Sequence, residues 1–199
     1  MKIVPQLLDK NNRVVGSRVL SSGKDALWGE REKGLIDVIV IHYISAVERC
    51  PQDPFNTERI LGIFCDYDVS SHFLIGRDGV VLNLVPVEKK AWHCGGSIMP
   101  EPDCRTSVNE FSIGIELAAT AESGFTVCQY AALSELCCFL EKEFNRKFIY
   151  TGHDQIAGEK AVQLRLREQK KEDPGELFNW NYFFECLEKQ RAEEFFFGV

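Results

Sequence analysis

Apolar positions along the chain fall into dense blocks separated by polar, Gly- and Pro-containing stretches, and the period within each block separates strand from helix. Residues 35–43, LIDVIVIHY, are β-branched and nearly continuous in apolar character. That predicts a central strand buried on both faces, with His42 near its C-terminal end. In 69–86, VSSHFLIGRDGVVLNLVP, two apolar runs flank Arg77-Asp78-Gly79, a hairpin signal. FSIGIELA at 111–118 predicts another buried strand, and 147–151 a short one that delivers His153.

Three stretches read as helices. Over 126–144, Tyr130, Leu133, Cys137, Leu140 and Phe144 recur at three and four, so they share one buried stripe. Thr126 and Gln129 match a capping box, each side chain satisfying the other's orphan backbone donor. A shorter helix is expected over 56–64, capped by Asn56 or Thr57, and an amphipathic one over 180–197. Residues 1–34 are polar and weakly patterned, with SSGKDALWGEREKG read as loop or short helix; they are expected to form an extension packed on a domain occupying 35–199. Residues 94–110 form a long Gly/Pro/Ser-rich connection, of the kind that serves as a lid or binding loop. The alternation of strands and helices, without repeat or linker, predicts an α/β single domain: a mixed central β-sheet flanked by helices. Sites in such sheets form beyond the carboxyl ends of strands, where His42, Glu116 and His153 all fall.

Composition narrows the function. With 45% apolar and 11% aromatic residues, a chain of 199 can build a real core. A net charge of −7 offers no basic stripe for nucleic acid. No apolar run approaches the ~18 residues of a membrane span. The start, MKIVPQLLDKNNRVV, lacks the apolar segment of a secretory signal, and beginning with Met1 it does not read as an already trimmed chain, so a cytoplasmic protein is expected. The eight cysteines include no C-x-x-C pair and read as free thiols in a reducing compartment.

The chain has four histidines: His42, His72, His93 and His153. A lone histidine is usually a satisfied polar residue, but two at strand ends with a carboxylate to follow are a candidate metal set. A catalytic zinc takes three protein ligands at about 2.0–2.2 Å from N or O and keeps a fourth position open. His42, His153 and Asp173 would be such a set, although no H-E-x-x-H helix makes it local.

VIVIHYIS, VSSHFLIGRDG, AWHCGG, NEFSIGIELA and GHDQIA…KEDPG, in that order, resemble the zinc-dependent N-acetylmuramoyl-L-alanine amidases (amidase type 2), most closely the AmpD type that acts on anhydromuramyl peptides. The similarity covers residues 35–185. It implies Zn2+ held by His42, His153 and Asp173, Glu116 as the catalytic carboxylate, Lys171 as an electrostatic partner for the developing oxyanion, and a muropeptide substrate in cell-wall recycling. A buried Glu116 paired with a cation, a solvated Lys170-Lys171 run and a plain turn at Asp173-Pro174 are the bland readings of the same residues. His93 resembles a cleft position of the family. Tyr43 and Trp92 could stack on a sugar or pack in the core, and Arg77 and Arg105 are candidate forks for stem-peptide carboxylates. His72 reads as a structural hydrogen-bonder.

Two departures stand out. The gap of twenty residues from His153 to Asp173 is longer than in many relatives, so EKAVQLRLRE marks an insertion over about 158–170, and Asp154 is a fallback ligand. Ser71 replaces the Tyr, and Asp173 the Cys, of the phage-lysozyme-type amidases and animal peptidoglycan-recognition proteins, which favours the AmpD type. The rival readings are a muropeptide-binding module without catalysis, and an amidase acting on intact peptidoglycan or a lipid-linked precursor.

Overall fold

Seven-residue runs of β-branched and aliphatic side chains form the two strands at the centre of the molecule: β3, Val38–Ile44, and β7, Ser112–Ala118, paired in parallel. The structure is a computed structural model that describes residues 3–8, 27–31 and 34–197. The order of the six-stranded sheet is β1-β5-β4-β7-β3-β8, where β1 is Ile3–Pro5, β4 Phe73–Ile75, β5 Val81–Asn83 and β8 Ile149–Gly152. Strands β4 and β5 pair antiparallel across the expected hairpin and the other pairs run parallel, so the sheet is mixed. Gly79 closes the hairpin with φ +83°, and a Cβ there would stand 2.8 Å from the Cys128 carbonyl oxygen.

The near-continuous apolar pattern of β3 and β7 resolves into two different faces, as a period of two requires. Ile39, Ile41, Ile113, Ile115 and Leu117 join the main core beneath two long helices, α2 (Val127–Glu143) and α5 (Trp180–Phe197). Helix α2 carries the expected Thr126–Gln129 capping box and buries Tyr130, Leu133, Cys137 and Leu140. Glu141 clamps the layer, accepting from Tyr150 Oη at 2.9 Å on β8 and from Arg191 Nε at 2.8 Å on α5. On the opposite face Val38 and Val40 pack against Cys94, Met99, Val108 and Ile156, while Leu74 and Ala118 pack against Ile60 and Phe64 of α1 (Thr57–Asp66). Asn56 caps α1 by accepting from the Arg59 N–H.

The start of the chain departs from expectation. Most of 1–34 lies outside the described residues, but β1 adds an edge strand to the main sheet and Trp28–Glu30 (β2) pairs antiparallel with Lys89–Ala91 (β6). The loop-or-short-helix reading therefore fails at 28–30. These three-residue strands are held by pairing with distant partners, and segments that short carry no periodicity of their own.

Candidate metal centre

His42 and Glu116 are direct partners across β3 and β7, so their side chains leave the same face one strand apart, about 4.8 Å. On the other flank of β3, Ile41 pairs with Gly152, which sets His153 level with His42 at the start of the short helix α3, His153–Ile156. His42 and Glu116 therefore interrupt apolar strands on the face that the long helices leave open.

Asp173 arrives from a loop pinned at both ends. Lys171 N–H donates to Ala157 O at 2.9 Å, and Asp154 N–H donates to Asp173 O at 2.8 Å. Pro174, after a cis peptide bond, packs on Gly152, where a Cβ would meet its Cδ at 2.8 Å. The result places Asp173 Oδ2 3.0 Å from His42 Nδ1 and 3.1 Å from His153 Nδ1. Behind His153, Nε2 lies 3.1 Å from the Cys94 carbonyl, which can only accept, so the ring carries its proton there and presents a bare Nδ1.

This arrangement fits a divalent cation. Burial and the neighbouring His153 lower the His42 pKa to about 4, Asp173 opposing, so its ring is neutral at pH 7. Burial alone would raise the Asp173 carboxyl, but His153 and His42 outweigh it and hold it below the usual carboxylate range. Two ring nitrogens and one carboxylate oxygen that all offer lone pairs to the same point leave a place that a cation can fill. The donor atoms of His42, His153 and Asp173 all lie within 4.8 Å of one another.

His42, His93 and Cys94 form a second group meeting the same distance limit. Burial pushes the Cys94 thiol well above its ordinary pKa, so it stays protonated and this group is the poorer donor set.

Glu116 stands beside the metal group, 8% exposed as a residue, with Oε2 buried without a hydrogen-bond partner. Burial and the Asp173 charge push its pKa well above the ordinary value, with Lys171 working against them. A carboxyl held above its ordinary pKa beside the metal group is suited to take and release a proton.

His42, His93, Glu116, His153, Lys171 and Asp173 line one cleft of about 220 Å³, with Tyr43 and Trp92 in its walls. It adjoins a larger concavity of about 690 Å³ that shares Tyr43 and Lys171 and runs along Asp154, Glu159 and Glu172. Gly158, Glu159, the first residue of helix α4 (Glu159–Gln163), and Lys170 to Glu172 line that groove, and the stretch between them presses on the 94–110 loop. A Cβ on Gly96 would stand 1.8 Å from Leu166 O.

Three candidates fall elsewhere. Arg77 donates to Gly124 O at 2.6 Å and to Ala118 O and Gln129 Oε1 at 3.3 Å, and its guanidinium covers Phe55. Arg105 is committed to Asp37 and Asp103 and covers Phe111. Arg77 makes these bonds through Nη1, Arg105 holds two carboxylates inside the domain, and neither lines the cleft where the substrate-binding expectation would put it. The Asp154 carboxylate turns back to the Gln155 N–H, away from the metal group. His72 is structural as expected: Nδ1 accepts from Gly114 N–H at 2.9 Å and Nε2 donates to Lys89 O at 3.0 Å, while burial and Arg31 lower its pKa to about 3.

Sequence reading missed Arg31, whose half-buried guanidinium donates to Lys89 O, Asn109 O and Ser112 O at 2.7–3.0 Å and ties β2 and β6 to β7. Nothing in its polar surroundings signals burial.

A mixed α/β domain carrying a two-histidine, one-carboxylate group beside a buried glutamate at the strand ends has the layout of a metal-dependent hydrolase. The chain belongs to the N-acetylmuramoyl-L-alanine amidase family, whose pattern matches residues 32–176. It is similar to the 1,6-anhydro-N-acetylmuramyl-L-alanine amidase AmpD of Citrobacter freundii, 35% identical over 115 residues, or 58% of this chain. That stretch spans 55% of the relative's own length. Among solved structures it is similar to a crystal structure of AmpD, with TM-score 0.62 and 28% identity over 81% of this chain and 90% of that one. It also resembles AmiD from E. coli in complex with the substrate anhydro-N-acetylmuramic acid-L-Ala-D-gamma-Glu-L-Lys, with TM-score 0.58 and 28% identity over 79% of this chain and 60% of that one.

Proposed function

We propose that this protein is a zinc-dependent amidase of cell-wall recycling. It would hydrolyse the amide between the lactyl group of anhydro-N-acetylmuramic acid and the L-alanine of the stem peptide. The observation that carries the reading is the convergence of His42 Nδ1, His153 Nδ1 and Asp173 Oδ2 within one cleft that Glu116 and Lys171 also line. The family and the muropeptide bound to AmiD support the choice of bond.

His42, His153 and Asp173 would hold the metal. Zinc, when bound, supplies a Lewis acid that polarises a carbonyl and lowers the pKa of a nearby water. Glu116, raised in pKa and facing the cleft, takes the proton of the attacking water and returns it to the departing alanine nitrogen. Lys171 sets an ammonium beside the oxygen that gains charge. Tyr43 and Trp92 wall the cleft where the sugar would lie, and the adjoining groove has room for the stem peptide.

No helix among the described residues is long and apolar enough to cross a membrane. A cytoplasmic location accords with a soluble muropeptide substrate and with the free cysteines among the described residues.

The test is peptide release from anhydromuramyl-tripeptide by purified protein, before and after chelation and after zinc is returned. Release that vanishes on chelation and returns with zinc is expected. Stoichiometric muropeptide binding without release would replace the enzyme by a binding module, and release from polymer or lipid-linked precursor alone would move the substrate.

A further inference from the structure

We propose that His93 is a positioning residue, holding His42 in the tautomer that offers Nδ1 to the metal; the inference rests on the zinc-amidase reading above. The hydrogen bonds behind His42 can be oriented from their far end. The Val108 carbonyl only accepts, and Ser112 Oγ lies 2.7 Å from it, so the hydroxyl proton points there. The same Oγ is then the acceptor for His93 Nε2–H at 3.2 Å. An uncharged His93 with its proton on Nε2 has a bare Nδ1, and that atom lies 3.0 Å from His42 Nε2. His42 Nε2 must therefore be the donor, which leaves His42 Nδ1 bare and directed at Asp173, 3.0 Å away.

His153 reaches the same state by a shorter route, through Nε2–H to Cys94 O. Each histidine of the metal set thus has an acceptor behind it, one a carbonyl and the other reached through two side chains. Such outer hydrogen bonds fix ring orientation and tautomer.

The ring of His93 is itself seated by its surroundings. A Cβ at Gly114 would stand 2.5 Å from His93 Cγ and Nδ1, so only glycine on β7 gives the ring this place. Asn109 Oδ1 accepts from the N–H groups of His93 and Cys94 at 3.2 and 2.9 Å, holding the backbone. Both ring nitrogens of His93 are engaged inside the fold, Nδ1 by His42 and Nε2 by Ser112, which leaves neither for a substrate. Cys94 Sγ, 3.1 Å from the same Nδ1, is a weak donor, and substituting it provides the control.

The experiment measures zinc affinity of the full chain by chelator competition, alongside kcat and KM on anhydromuramyl-tripeptide. His93→Leu is expected to weaken zinc binding by about 10–100-fold, the usual effect of losing an outer-shell partner. His93→Asn, whose Oδ1 can stand in for Nδ1, restores most of that loss. Ser112→Ala weakens binding in the same direction by less, and decides the question if His93→Leu does not fold. Cys94→Ala leaves affinity within about twofold, well short of that outer-shell effect.

Wild-type zinc affinity in both His93→Leu and Ser112→Ala overturns the inference, as does a rise in KM alone, which marks His93 as a substrate contact. Equal weakening by Cys94→Ala also overturns it, by moving the metal to the His42–His93–Cys94 group. A wild-type chain that binds no zinc overturns the amidase reading itself, a result distinct from unchanged variants of a zinc-binding parent.

Discussion

Replacing Glu116 by Gln keeps the volume of the side chain and removes only its ability to ionise. General-base contributions run at about 10²–10⁴-fold, which corresponds to about 2.7–5.4 kcal/mol of activation free energy. Since Glu116 is the carboxylate beside His42 in register and is not one of the three converging metal donors, zinc content should stay at the wild-type level while kcat/KM falls by that factor. Stability should move the other way. Burial and the charge of Asp173 raise the Glu116 pKa, so the folded metal-free chain holds this proton more tightly than the unfolded chain does. Between the ordinary carboxylate value, about 4.3, and the raised one, the folded state binds more protons, and stability falls as pH climbs through that window. Glutamine removes this slope. Metal-free Glu116→Gln should therefore be more stable than the wild type at pH 7, with the difference closing below about pH 4. Peptide release gives the first quantity and urea unfolding at three pH values the second. A variant within tenfold of wild-type activity, or one less stable at pH 7 with no pH-dependent difference, would refute the reasoning.

Asp173→Ala should weaken zinc binding by more than the ~10–100-fold that loss of an outer-shell partner costs, read by metal content after dialysis; full zinc occupancy would rule out Asp173 as a ligand. Gly96→Ala drives a Cβ into Leu166 O and should lower stability by about 1–3 kcal/mol and speed proteolysis within 158–170, while an unchanged melting temperature would show the contact to be loose. Arg31→Met keeps the aliphatic stem but abandons the carbonyls of Lys89, Asn109 and Ser112, at an expected cost of at least about 2 kcal/mol in urea unfolding. Arg105→Ala should leave KM for the muropeptide unchanged, since its fork is spent on Asp37 and Asp103; a severalfold rise would return it to the binding site.

Local pattern alone carried a good deal of this protein. The runs at 35–43 and 111–118 announced buried strands, Thr126 with Gln129 announced a capped helix, and Asp78-Gly79 a hairpin, because each signal lies within a few residues of what it specifies. His42 and Glu116 were legible for a related reason: each is a polar residue in an otherwise apolar strand, a cost that a site can offset. Pairing decided the rest. Only the register of β3 on β7 sets His42 beside Glu116, and only the packing of Pro174 on Gly152 brings Asp173 to two histidines across the 158–170 insertion. The fates of Arg77, Arg105 and Arg31 were equally a tertiary matter, since a guanidinium shows in sequence that it can make forked bonds but not which carbonyls or carboxylates will stand within its reach. Strands β1 and β2 belong to the same class: three residues long, they exist because distant partners complete their hydrogen bonds.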